Sequence, residues 1–426
     1  MTFTLGVVLF ALSIAVSIML HEAGHMVTAK RFGMKVTQYF VGFGPTVWSF
    51  RRGETEYGIK AIPAGGFVKI IGMTPLEEKI SPVDEPRAFW RGKLWKRTVV
   101  LSAGSLTHFL IGLVLLYACA VLVGLPNPAF AAALDHPERQ PAVIGEVQAC
   151  LIAYSASQTS AAPTCRPSDP VAPAKQAGLR SGDRIQALGT TRVSTWGDLI
   201  AATSAAKAGR TTLAYSRAGV ERTATVDLVA IKHAVGGTVD KPTLKTTPML
   251  GVRLGDPAVP QTVTYGPVAG IAQTVSFAGT LVTGTFAAIG RFPEKVPKLV
   301  DAITGHQRDP NGPISVVGAS KLGGDVLAHG GPSGLSAFLL LLASLNVFIG
   351  IFNLFPLLPL DGGHIAIAWF ERVRSRLATR RGRPDPGRVD YTKLLPLTYF
   401  VILIFGGISL LTIAADIVNP INLFPK

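Results

Sequence analysis

A chain of 426 residues, 48% of them hydrophobic and with a formal charge of +15, is too apolar for an average soluble enzyme of its length and reads as a membrane protein with one soluble insert. Its basic residues flank apolar segments, as the positive-inside rule requires. Its aromatic residues are not interleaved with Lys and Arg as a base-stacking surface would need, which excludes nucleic acid as a partner, and three cysteines are too few for a disulfide-built scaffold.

Apolar segments of the length needed to cross a bilayer predict four transmembrane helices, at 3–28, 98–123, 334–358 and 394–416. The first has no Lys or Arg before Lys30; it lacks the basic start of a signal peptide and reads as a retained helix. Within it, IMLHEAGHMV at 18–27 sets two histidines and a glutamate among side chains suited to hydrocarbon, where ionisable groups are costly. His21-Glu22-Ala23-Gly24-His25 is H-E-x-x-H. On a helix, positions i and i+4 share a face, so both imidazoles reach one Zn²⁺ and Glu22 lies beside them to take a proton from water. The alternative is a chance match whose polar groups pair with other helices, and the cost of an unpaired set at that depth counts against it.

GFGPTVWSF, TEYGIKAIP and GGFVKIIGM, at 42–50, 55–63 and 65–73, are strand-like and punctuated by glycine. They predict a small sheet, lying on the membrane surface or dipping beside the spans where protein or water satisfies its backbone. Basic clusters then set the orientation. Lys30 and Arg31, Lys93 with Lys96 and Arg97, and the stretch from Arg372 to Arg388 all fall on one side of a four-span chain, the cytoplasm. Both termini and the long 124–333 region are then outside. Residues 267–290 are long and apolar enough for a fifth span, but counting it would move the Arg-rich 372–388 loop outside, so an amphipathic or partly buried surface helix is expected.

The composition of 124–260 is that of a soluble region, followed by a post-domain amphipathic region at 261–333 and, at 334–426, the last two spans. QAGLRSGDRIQALGTTRVSTWGDLIAA reads as a turn at Gly182-Asp183, a strand from Arg184 to Leu188, a hairpin, and a helix from Trp196 to Ala202. It resembles the second half of a bacterial PDZ domain. With VIGEVQ at 143–148 as an earlier strand, the domain covers about 141–230, and such domains bind extended peptide ends beside a sheet edge. Cys150 and Cys165 bracket an insertion in it and are either two unrelated thiols or, outside the cytoplasm, a disulfide; Cys119 is a small core residue. In NVFIGIFNLFPLLPLDGGHIA, Pro356 and Pro359 interrupt the helix and expose backbone groups, tolerated at membrane depth around a protein or water cavity. A zinc site needs a third ligand and an open position for water. Asp361 and His364 compete for that place, and Asp361 also reads as part of a plain Asp-Gly-Gly turn.

HEAGH, GGFVKIIGM, the PDZ-like insert, GPISVVGASKLGG at 312–324 and NLFPLLPLDGG, in this order through almost the whole chain, together resemble the site-2 protease family of intramembrane zinc proteases. The RseP-like bacterial branch fits and, within it, the mycobacterial Rip enzymes. The resemblance implies a polytopic α-helical membrane protein with four transmembrane helices, a membrane-associated β element in the first part (1–123), and an inserted extracytoplasmic PDZ domain (α+β). It implies one zinc held by His21, His25 and Asp361, Glu22 as general base, and Asn353 with the Gly65, Gly66 and Phe67 edge holding the substrate. The substrate would be the transmembrane segment of a trimmed single-span protein such as an anti-sigma factor, cut first by an upstream site-1-type protease, with the PDZ region excluding untrimmed proteins. The setting would be a bacterial cell membrane, the active site towards the cytoplasm.

The chain departs from the family twice. Ala103-Gly104-Ser105-Leu106-Thr107-His108 stands where the family has Ala-Gly-Pro-x-x-Asn. His108 therefore either bonds a neighbouring helix in place of the Asn or acts as an outer or temporary fourth ligand. Pro359 also lies one residue later than the commoner pattern. A different class of answer is a non-catalytic PDZ-bearing scaffold with a structural metal. Glu22 argues for the enzyme, because a structural site needs no base. A metal transporter or sensor has little support from a PDZ insert and a single H-E-x-x-H.

Overall fold

Among the described residues five helices are long and apolar enough to cross a bilayer, and with the sheet elements between them they make a membrane-type α+β protein. The computed structural model describes residues 2–73, 80–153, 165–237, 242–306, 308–309 and 311–424. Two compact units result, one of residues 1–125 with 263–426 and one of residues 126–262.

The first unit begins with α1 (Thr2–Arg31), then β1 (Val36–Arg52) and β2 (Thr55–Ile70), then α2 (Leu94–Ala118), prolonged by a π turn at Cys119–Val123. The three short strands expected at 42–50, 55–63 and 65–73 are instead two long bulged ones starting at Val36. β1 bends around Gly42 and Gly44, both at positive φ, where glycine avoids the Cβ penalty. As a result Gln38 to Val41 pair with Glu56 to Ile59 on one side and with Gly66 to Lys69 on the other. Gly66 to Ile70 thereby become an edge that no further strand covers among the described residues. The Tyr39 hydroxyl donates to the Met19 carbonyl of α1 at 2.8 Å, and Lys30 Nζ donates to the Tyr57 hydroxyl at 2.7 Å. These bonds seat the sheet on the helix.

The second unit runs through β3 (Leu125–Pro126), α3 (Pro128–Asp135), β4 (Ile144–Val147), α4 (Pro173–Gln176), β5 (Arg184–Leu188), β6 (Thr191–Arg192) and α5 (Trp196–Ala205). It continues with β7 (Gly209–Arg217), β8 (Val220–Gly237), β9 (Pro242–Met249), β10 (Val252–Leu254) and β11 (Thr262–Val263). Five strands form an antiparallel sheet in the order β6-β5-β7-β8-β9, and β4 pairs with β10. Its core gathers Ile144, Ile185, Leu188, Leu199, Leu213 and Val226. Thr195 and Asp198 cap α5 reciprocally, each side chain accepting the other's backbone N–H. Cys150 and Cys165 are joined in a disulfide; most of the insertion they bracket, 154–164, lies outside the described residues.

Asp183 has no solvent exposure and accepts from Arg217 Nε and Nη2, each at 2.7 Å, and from the Arg180 N–H at 2.8 Å. Burial alone would raise its pKa, but the Arg217 and Arg180 hydrogen bonds outweigh it and hold the carboxyl below its ordinary 3.8. A depressed carboxylate stabilises the fold above its unfolded-state pKa and loses that contribution as pH falls below it. Arg217→Ala strands the charge and so destabilises this unit. We expect earlier protease cleavage and faster hydrogen exchange in residues 180–230, with the α1 and α2 amides unaffected.

After the insert come α6 (Pro267–Gly290), α7 (Phe292–Ile303), α8 (Val316–His329), α9 (Gly334–Asn353), α10 (Asp361–Arg380) and α11 (Leu395–Val418). The span expected at 334–358 ends at Asn353, because Pro356 and Pro359 follow within two turns and break the ladder. The expected 372–388 loop is helical as far as Arg380. The GPISVVGASKLGG stretch is the start of α8, capped by Ser315. Its Gly323 and Gly324 lie so close to α1 that an added Cβ would meet Phe10 at 2.8 Å and Val7 at 2.7 Å, the small-residue contact by which membrane helices approach.

Candidate active site

The helical period brings His21 and His25 to one buried face of α1. That face meets α2 at two glycines. A Cβ on Gly24 would lie 2.8 Å from the Ala103 carbonyl, and one on Gly104 would lie 2.6 Å from His21 Nε2. Nothing larger than hydrogen fits at either point. His25 Nδ1 donates to the Val100 carbonyl at 2.6 Å, which orients the ring and leaves Nε2 facing inward. There His25 Nε2 and His21 Nε2 are 3.1 Å apart.

Asp361 opens α10 immediately after the proline break. Gly362 and Gly363 allow the first turn of α10 to lie against the loop, since an added Cβ on Gly363 would come 2.6 Å from Leu358 N and one on Gly362 would fall inside contact with the Leu354 and Phe355 backbones. The Asp-Gly-Gly run thus needs its glycines for close packing as well as for a turn. Asp361 Oδ2 is 3.4 Å from both Nε2 atoms. It is buried and has no hydrogen-bond partner. His21, His25 and Asp361 are the group of possible metal ligands among the described residues, their donor atoms all within 4.8 Å of one another. Two imidazole nitrogens and a partnerless carboxylate oxygen converging on one point fit a zinc ion by number and by donor type.

Glu22 stands outside this cluster, on the side where α1 meets the sheet edge. A Cβ on Gly66 would approach Glu22 Cγ to 3.3 Å, and the Val68 backbone N–H is directed at the carboxylate. Gly65 has φ 139°, and Phe67 stacks on Phe40 and Phe43 with centroids 5.6 and 6.2 Å away. The predicted residues Gly65, Gly66 and Phe67 therefore run along the open edge beside Glu22. Asn353 closes α9, half-buried, its side chain making no hydrogen bond among the described residues. His364 does not join the cluster; its ring stacks on Tyr391 with centroids 6.0 Å apart.

His108 is also outside the cluster. It is buried with its ring 5.0 Å from that of His21, and its Nδ1 is 2.8 Å from Asn346 Oδ1 on α9. Asn346 Nδ2 donates to the Leu342 carbonyl at 2.9 Å, so the amide oxygen faces His108 and Nδ1 is the donor. Asn346 was not among the sequence candidates. Its signal was an amide side chain inside LLLLASLNVF, the kind that must find a partner at membrane depth. An amide at 108 can donate the same hydrogen bond, so His108→Asn should change zinc affinity and turnover less than about threefold, whereas His108→Leu strands Asn346 Oδ1 at about 1–3 kcal/mol. Chelator competition and a cleavage assay on both variants check this.

The profile of Peptidase family M50 matches residues 9–385 of the chain. Over its full length the chain is 45% identical to a protein named Zinc metalloprotease Rip1 from Mycobacterium bovis, 44% to one of that name from Mycobacterium tuberculosis and 42% to one from Mycolicibacterium smegmatis, each relative being covered in full.

Proposed function

Because the chain belongs to peptidase family M50, the site-2 proteases, we propose that it cleaves the transmembrane segments of trimmed single-span proteins, anti-sigma factors among them, after an upstream site-1-type protease. The enzyme is a zinc metalloprotease and a multi-pass membrane protein. One observation carries the reading of its site. The His21, His25 and Asp361 donors converge beside Glu22 and a strand edge that no further strand covers among the described residues.

His21, His25 and Asp361 would hold one zinc. When bound, it supplies Lewis-acid polarisation of a carbonyl and acidifies water. Glu22, beside the donor cluster but free of it, accepts the proton at its carboxylate and returns it to the departing amine. A helical substrate hides its peptide bonds in its own hydrogen-bond ladder and has to unwind before attack. The Gly65 to Val68 edge offers backbone groups to the unwound chain, as strand addition does. Glycine at 65 and 66 leaves room for that approach, and the Asn353 amide offers one more pair of hydrogen-bonding groups.

For topology, four spans keep the Arg-rich segment after α9 in the cytoplasm, with the termini and the 124–260 region outside and α6 on the membrane surface. The lower mean hydropathy of α6, 1.2 against 2.4 to 2.5 for the other four, supports this. A PDZ role for about 141–230 draws support from the sheet with α5 packed on it and from the disulfide, which suits an oxidising compartment. Domains of 1–123, 124–260, 261–333 and 334–426 follow. In cells carrying Glu22→Gln, membrane proteins already trimmed outside should accumulate as uncut fragments. If no such fragment rises over wild type, the substrate class fails.

A further inference from the structure

One face of α10 is left bare by the protein. Trp369, Phe370, Val373 and Leu377 are 46% to 56% exposed, and at about 100° per residue they share roughly one third of the helix circumference. Arg372 and Arg376, both exposed, line a margin of that strip, and Arg380 prolongs it. The opposite side is tied down, Arg97 Nη2 meeting the Glu371 carboxylate at 3.1 Å, while Trp369, at the edge of the strip, keeps half its surface exposed and donates its Nε1–H to Thr98 Oγ1 on α2 at 3.2 Å.

Arg372, Arg376 and Arg380 make no ion pair among the described residues. Asp385, whose charge reaches Arg372, already accepts from Ser375 and from the Gly387 N–H. Arg374 is different, donating to the Pro386 and Gly387 carbonyls.

We propose that this face of α10 binds anionic phospholipid headgroups of the cytoplasmic leaflet, its apolar strip among the acyl chains and Arg372, Arg376 and Arg380 on the phosphates. An apolar strip bordered by arginines, directly after a span, has the form of a helix lying in the membrane interface. A zwitterionic surface would cover the strip but leave the three charges unmatched, whereas an anionic one neutralises them. Asp361 is the first residue of the same helix. The lipid contact therefore bears on how firmly its carboxylate is held beside His21 and His25. The proposal rests on the cytoplasmic orientation given above.

The test uses the full chain in nanodiscs of phosphatidylcholine alone or mixed equally with phosphatidylglycerol. Native mass spectrometry reads retained lipid, hydrogen exchange reads residues 365–381, and chelator competition reads the metal site. Wild type should retain phosphatidylglycerol preferentially and exchange more slowly in the mixed discs. Arg372→Gln/Arg376→Gln/Arg380→Gln should lower that preference about tenfold or more, and the triple Lys variant should keep it. A preference unchanged in the Gln variant overturns the proposal, as does no preference in wild type. Orientation is read separately by labelling Thr379→Cys in intact cells. Labelling from outside would sink the topology while leaving the lipid result readable.

Discussion

Glu22→Gln should retain about one zinc per chain and lose cleavage of a transmembrane substrate by on the order of a thousandfold. Glu22 is not among the converging donors, and glutamine has nearly the same volume, so its contacts with Gly66 and Val68 persist. What disappears is the proton acceptor. Metal analysis and a cleavage assay on the same preparation separate the two quantities. Cleavage near the wild-type rate with metal retained would remove Glu22 from the mechanism, while loss of metal would mean that the carboxylate has a structural part in the cluster.

Gly104→Ala should lose both. The new methyl carbon would occupy space that His21 Nε2, His21 Cε1 and His25 Nε2 already fill. Neither ring has freedom to yield, since His25 is fixed to the Val100 carbonyl and His21 is backed by His108. Even a shift of about 1 Å at a catalytic constellation costs about a hundredfold. We expect zinc affinity to fall at least tenfold and cleavage to drop below detection. The control lies two turns along α2, where a Cβ on Gly112 would meet Val347 Cγ2 at 3.1 Å, far from the donors. Gly112→Ala costs some helix packing but should keep its metal; full zinc binding by Gly104→Ala would refute the steric argument.

A helix of period 3.6 puts His21 and His25 on one face whatever surrounds it, and the proline pair after Asn353 ends a helix by removing N–H donors. Apolar length in the same way marks the candidate spans, and the Gly182-Asp183 turn with its following strand and helix is legible from residue type alone. Relations between distant segments are not. Periodicity could not choose between Asp361 and His364, because the choice depends on how Gly362 and Gly363 let α10 settle on the loop before it. Nor could it pair His108 with Asn346, far along the chain, or show that β1 bends so that Gly66 to Ile70 become the edge facing Glu22. The basic stretch 372–388 reads as a loop because its charges hide the stripe that Val373 and Leu377 make with Trp369 and Phe370; it is helical as far as Arg380 because those side chains share a face while Glu371 anchors the other side to Arg97. Propensity and hydrophobic period act over a few residues, so sequence by itself determined the helices and the chemistry they could carry. The convergence of donors, base and strand edge depends on side chains meeting across helices, and only tertiary packing decided it.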